Sequence, residues 1–241
     1  LNQENFLLGL TVLRLQNDMK ILSEAKDAFL GKEGNLFSLY SILNLNNSSI
    51  SAEISSDANN NMGIKAGTES NFGDYGIAIS LRSFTKNFRS PFGNNFGESY
   101  APNNEYGLYT GLKYLGFDNY ILSAYLDLYA SYDKTHDVPE PIQGIDLFSQ
   151  SDWNIDNNNK LTLRLQVENK TDAKTIDDVK IIFQKTLGRI RIEYQKKLFK
   201  NVNVKLRTEA VYVSFVDVIP DETGISGFVD FSWLPIEIIK T

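Results

Sequence analysis

The sequence predicts an all-β fold, an antiparallel up-and-down transmembrane β-barrel in a single domain over residues 1–241, and three observations carry that expectation. First, Tyr106, Leu108, Thr110, Leu112 and Tyr114 alternate with Gly107, Tyr109, Gly111 and Lys113. The alternation resumes over residues 120–132, where Leu122, Ala124, Leu126 and Leu128 stand opposite Ser123, Tyr125, Asp127 and Tyr129. A period of two is the signature of a strand. Second, at about 3.3 Å per residue and a tilt of roughly 40°, residues 120–132 cover about 30 Å, whereas soluble strands usually run to about 5–6 residues. Third, no window reaches the roughly 18 apolar residues of a membrane-crossing helix, while 12 Tyr and 15 Phe can supply an aromatic girdle. A soluble sheet with one buried face would also alternate, so a soluble ligand-binding β-barrel stands as an alternative.

In chain order, residues 6–15 and 19–29 read as two strands about a turn at Gln16-Asn17-Asp18. The first is apolar on both faces, which leaves its lipid side unassigned. Residues 36–45 and 48–56 form a hairpin around Asn46-Asn47, with Ile50, Ala52 and Ile54 opposite Ser49, Ser51, Glu53 and Ser55, and 57–61 is a loop. Residues 62–68 and 74–84 follow about a turn at 69–73, Tyr75, Ile77, Ile79 and Leu81 alternating with Gly76, Ala78, Ser80 and Arg82. Residues 85–104 are the longest unpatterned segment, of a length typical of functional loops. Their aromatics, Phe88, Phe92, Phe96 and Tyr100, argue against full disorder and are candidates for a working outer loop.

After the hairpin at 105–132 come a charged loop at 133–141, a weaker strand at 142–153 and a turn at 156–160. A strand at 161–168 then sets Leu161, Leu163, Leu165 and Val167 opposite Thr162, Arg164, Gln166 and Glu168, and 169–178 reads as a polar loop. In 179–197 the apolar parity changes about Gly188, which is either a turn or a bulge in one long strand. Outer-membrane barrels alternate short periplasmic turns with longer outer loops, and only a single strand through Gly188 keeps that alternation going to a turn at 199–201. The last hairpin places Val202, Val204, Leu206, Thr208, Ala210 and Tyr212 opposite Asn203, Lys205, Arg207 and Glu209, followed by an outer loop at 218–226 and a strand through Val229, Phe231 and Trp233.

That makes about 13 strands. Bacterial single-chain barrels have an even number, so the chain is expected to be a portion of a larger barrel, incomplete at one or both ends. Beginning at Leu1 with neither an initiator Met nor a signal segment, it reads as processed or as a fragment.

The charges assign roles to the two faces. Arg82, Lys113, Asp127, Arg164, Glu168, Arg189, Arg191, Glu193, Lys205, Arg207 and Glu209 fall on the polar parity and are expected to face a lumen. They form either a solvated, mutually paired lining or a porin-like selectivity ladder, in which Arg189, Arg191, Lys205 and Arg207 would make a basic strip favouring anionic solutes. Tyr106, Tyr114, Tyr120, Tyr132, Tyr194 and Tyr212 are expected at the membrane interfaces, with the leucines between them toward lipid. A net charge of −6 argues against nucleic acid as a partner. The absence of cysteine and the single histidine, His136, remove thiolate chemistry and Cys/His metal sites. No phosphate loop or nucleophile elbow is present. Barrel enzymes that act on lipid use Ser with His, and here only His136 could serve. The chain is therefore expected to be no enzyme, with no cofactor, metal or catalytic residue. Its expected partners are membrane lipid and other outer-membrane or periplasmic proteins.

The segments SPFGNNFGE (90–98), NEYGLYTGL (104–112), LSAYLDLY (122–129), GRIRIEYQ (188–195) and VKLRTEAVYV (204–213) resemble the barrel portion of an uncharacterised family of Gram-negative outer-membrane β-barrel proteins. Some of its members carry a helix-hairpin-helix segment ahead of the barrel. The resemblance covers residues 75–235 and implies an outer-membrane location and a large aromatic outer loop. No helix-hairpin-helix segment occurs here, so no nucleic-acid role is implied, and the family offers no catalytic residues to carry over. Two functions are expected from these readings: a channel or transport component for small polar solutes, or a non-conducting structural or surface-interaction barrel acting through residues 85–104.

Overall fold

A computed structural model describes residues 5–21, 31–90, 103–199, 201–216 and 218–233. Twelve strands make up its regular structure: β1 (Phe6–Ile21), β2 (Gly31–Leu45), β3 (Ser48–Asp57), β4 (Met62–Phe72), β5 (Tyr75–Phe84), β6 (Glu105–Phe117), β7 (Tyr120–Lys134), β8 (Pro141–Asn154), β9 (Asn159–Ile176), β10 (Val179–Phe199), β11 (Val202–Phe215) and β12 (Ile219–Trp233). They form one sheet in which each strand pairs antiparallel with its neighbours in sequence, so the order runs from β1 at one edge to β12 at the other. The ends at which β2 meets β3, β4 meets β5, β6 meets β7, β8 meets β9 and β10 meets β11 gather on one side, called the near end. The ends at which β3 meets β4, β5 meets β6, β7 meets β8, β9 meets β10 and β11 meets β12 lie at the opposite, far end.

The count is twelve rather than thirteen because Gln16-Asn17-Asp18 lies within β1 instead of turning the chain. The remainder of the expected second strand, 22–29, lies outside the described residues. Among the described residues, β1 begins and β12 finishes at the near end. Residues 169–176, expected as loop, belong to β9, and the connection is only Asp177-Asp178. Both of these have positive φ, 48° and 63°, the conformation of a type I′ hairpin turn. The expected loop at 218–226 is also strand, from Ile219 onward. β10 runs 21 residues without a break. Its register with both neighbours is continuous through Gly188, so neither turn nor bulge occurs there.

The register sorts the side chains by face. Leu10, Leu39 and Ile54 lie in line across β1, β2 and β3, and Leu165, Ile190, Ala210 and Ile225 across β9 to β12. This apolar face stands open: Leu10 is 71% exposed, Ile192 51%, Val229 70% and Ile225 83%. β1 is thereby oriented, with Leu8, Leu10 and Val12 on the apolar face and Leu7, Gly9 and Thr11 on the other. The chain exposes 16372 Å², against about 11,000 Å² expected of a compact monomer of its mass. No described side chain is completely enclosed, and most of the few buried residues gather at the far end of the second face. The hydrogen-bonded ladder and the contacts on that second face hold the sheet, without a dry core between layers.

Candidate functional site: the charged face

Arg82, Lys113, Asp127, Arg164, Glu168, Arg189, Arg191, Glu193, Lys205, Arg207 and Glu209 share the second face by register. Their side chains form a paired network. Arg82 is the most enclosed: its Nε donates to Glu105, while Nη1 and Nη2 take both oxygens of Asp127 at 2.7 and 3.1 Å. The guanidinium lies flat on Gly107, where an added Cβ would come within 2.6 Å of Cζ. A glycine on β6 is therefore what lets a β5 arginine reach a β7 carboxylate.

Asp127, Asp146 and Glu168 stand directly opposite one another across β7, β8 and β9. Like charges so placed repel, and each has its own relief. Arg82 serves Asp127. Asp146 accepts from Tyr125 Oη at 2.8 Å and from Gln166 Nε2 at 3.2 Å. Glu168 accepts from Lys170 Nζ at 2.7 Å and from Tyr129 Oη at 3.3 Å. Four strand residues nearer the near end, Arg164 and Arg191 oppose each other across β9 and β10. Arg164 donates to Gln150 at 2.6 and 3.0 Å and packs over the Phe148 ring. Arg191 and Arg189 share Glu209. Arg207 and Lys205 share Glu193, and Arg207 lies 4.4 Å over the Phe228 ring. The expected basic strip is therefore threaded by two carboxylates. Counting Arg164, it still holds five cations against two, while the row toward β5 sets Glu105, Asp127, Asp146 and Glu168 against Arg82 and Lys170.

At the far end this face is covered. Beyond Phe84 the chain turns back, so that the Phe88 ring stacks 6.1 Å from Phe84 and lies over Gly63. Thr85 fixes the departure, its N–H donating to Met62 O at 2.9 Å and its Oγ1 accepting from Met62 N at 3.0 Å. The return is fixed by Asn104, which donates through Nδ2 to Asp133 O at 2.9 Å and accepts from Asp133 N at 3.0 Å. Phe183 and Phe215 meet at 5.9 Å on the same face. They explain the parity change in β10: Val179, Ile181 and Phe183 are apolar residues of the charged face at its covered end, and Ile190 and Ile192 are residues of the apolar face. Of the outer-loop candidates, Phe88 is buried in this cover, and Phe92, Phe96 and Tyr100 lie outside the described residues.

The six singled-out tyrosines lie on the apolar face at its two margins. Tyr106 and Tyr132 meet at 4.8 Å at the far end, where Tyr132 Oη also meets Ser83 Oγ and Tyr212 donates to Asp221. Tyr114, Tyr120 and Tyr194 mark the near end, Tyr114 against Tyr75 at 4.8 Å. Trp153 and Trp233, both exposed, add to the near margin.

Sequence reasoning missed Glu105, Asp146 and the aromatic row Tyr109, Tyr125 and Phe148 on the charged face, with centroids 5.5 and 4.9 Å apart. Asp146 was legible as a carboxylate between Ile145 and Leu147, although Phe148 then breaks the alternation that β9 keeps. His136 is an exposed residue of the 135–140 connection, with Nδ1 2.8 Å from Asp137 Oδ1. Among the described residues no cluster of acidic or histidine side chains is placed to hold a metal ion. The chain matches no protein-family model and no curated protein.

Proposed function

We propose that the chain is an outer-membrane β-barrel in which β12 closes on β1, with the charged face lining a wet pathway for small polar solutes. The observation that carries this reading is the segregation of the two faces. Leu108, Leu112, Leu122, Leu126, Leu128, Leu163, Leu165, Ile192, Val204 and Leu206 share the face opposite the ion pairs. That is the distribution lipid outside and water inside require. A soluble barrel would gather those leucines into a core and turn the charges to water, and exposed apolar surface on this scale is unusual on soluble monomers. Twelve strands among the described residues, antiparallel edges and tyrosines at both margins are consistent with closure in a bilayer.

The acidic row and the basic strip occupy different strands and levels, so a solute passing along this face meets charges of both signs. Lipid is the partner in this reading, and neither cofactor nor catalytic group has a role in it. Single-channel recording of the refolded chain in a planar lipid bilayer tests it: discrete conductance steps are expected. A second reading, a non-conducting barrel acting at its outer surface, draws on the covered far end, where Phe88, Arg82 and Tyr129 are buried on the charged face. A protein that inserts into lipid yet gives no steps favours that reading, and a protein that stays soluble and monomeric without detergent removes both.

A further inference from the structure

We propose that the charged face carries a slot for an uncharged sugar beside the row Tyr109, Tyr125 and Phe148; this rests on the reading of that face as wet. The row crosses β6, β7 and β8 with centroids 5.5 and 4.9 Å apart, the last pair only 13° from parallel. It is held at its middle ring and at its β8 flank. Tyr125 Oη is fixed on Asp146 at 2.8 Å, and the Arg164 guanidinium, 5.5 Å from the Phe148 centroid, is fixed on Gln150. Toward β5 the row stops, and the sheet is floored by Gly76, Ala78 and Gly111. The result is a cavity of about 330 Å³ that all three rings line. That volume lies at the lower end of small-molecule pockets, about 300–1,000 Å³. An added Cβ at Gly76 would meet Asn71 Oδ1 at 3.2 Å and Lys113 Cβ at 3.6 Å, and one at Gly111 would meet the Tyr109 ring at 3.1 Å, so the floor is overhung by Asn71 on one side and by Tyr109 on the other.

The chemistry around this floor selects the class of ligand. A pyranose has one face of C–H groups, which stacks on an aromatic ring, and an edge of hydroxyls that both donate and accept. Glu69, Asn71 and Lys113 at the rim offer an acceptor, an amide and a donor to such an edge. A strongly anionic ligand would lie beside Glu69, and a wholly apolar one would leave Glu69, Asn71 and Lys113 facing no polar partner on the ligand. The uncharged sugar satisfies both surfaces together.

The test is calorimetric titration of the full chain, refolded in detergent, with a linear glucose trisaccharide. Saturable binding is expected, weakened about tenfold by Tyr109→Ala, which removes the ring at the β6 end of the row, and retained in Tyr125→Phe, which keeps the ring. Gly76→Leu, which fills the floor without removing a ring, should abolish binding and serves where an alanine variant does not fold. Wild-type protein that binds the trisaccharide no better than a polyethylene glycol of equal mass overturns the proposal, as does unaltered binding in folded Gly76→Leu. The titration needs no conduction. A protein that conducts ions without binding sugar refutes the slot alone, and one that binds sugar without conducting refutes the pathway alone.

Discussion

Tyr129 on β7 lies across Gly144 on β8 so closely that a Cβ added at residue 144 would stand 2.2 Å from the tyrosine Cζ. Only because residue 144 lacks a side chain can the Tyr129 hydroxyl pass over β8 and reach Glu168 on β9. Gly144→Ala should cost about 1–3 kcal/mol as the ring is forced from its place. Combining it with Tyr129→Ala should remove most of that added cost, measured by urea unfolding of the refolded protein.

Arg82 sets its guanidinium between Glu105 and Asp127, with 2% of its side chain exposed. Arg82→Ala leaves two enclosed carboxylates without their cation and should destabilise the fold by about 3–5 kcal/mol. Arg82→Lys should recover little of this, because an ammonium cannot reproduce the fork on Asp127. Urea midpoints of the three proteins give the comparison.

Leu165 and Gln166 are adjacent in β9 and point to opposite faces. In lipid vesicles Leu165→Arg should cost about 2–4 kcal/mol, as a cation at the depth of the hydrocarbon does, while Gln166→Arg should be nearly silent. Equal, small effects at both positions would remove the membrane reading.

Arg164 and Arg191 face each other while Asp127, Asp146 and Glu168 form a row of their own. Replacing both arginines with Gln should move the reversal potential under a potassium chloride gradient toward cation selectivity. Asp146→Asn should move it the other way.

At the near end the Asp156 carboxylate lies below its usual range, chiefly because the Asn158 backbone N–H donates to it at 2.7 Å, with the Asn159 side chain and backbone adding further donors. A lowered carboxylate pKa means that its contribution is present above the unfolded value and is lost as pH falls through the depressed one. The amide resonances of Asn158 and Asn159 should therefore hold steady from neutral pH down through the ordinary aspartate range and shift only below it.

Where the two faces meet different surroundings, the sequence was readable. Leu161 to Val167 alternates with Thr162 to Glu168, and the register places each side as the alternation said. The errors cluster at the far end. β1 continues through Gln16, β9 through Asn169-Lys170-Thr171-Asp172, and β12 begins at Ile219-Pro220-Asp221-Glu222. There the strands run past the apolar face, so both sides are polar. A strand with two similar sides has no period of two to detect, and its Asn and Asp residues imitate a turn. The ion pairs were half legible: alternation put the charges on one face, but the partner of Arg82 depends on Gly107 leaving room, which no pattern in β5 records.

Because every strand hydrogen-bonds only to the strands before and after it in the chain, the hairpin is the unit in which this architecture can be assembled or altered. Successive hairpins can dock on the growing edge using contacts local in sequence, which favours fast formation, and closure of the first strand on the last would come late and carry most of the loop-closure entropy. The same property makes the width of the sheet adjustable over evolutionary time. Loss of β4 and β5 together would leave β3 and β6 antiparallel, with matching edges, and would keep the first and last strands at the same end. Removal of one strand would bring parallel edges together at a short turn that cannot join them. Gene duplication and deletion acting on such a chain would be filtered to pairs of strands.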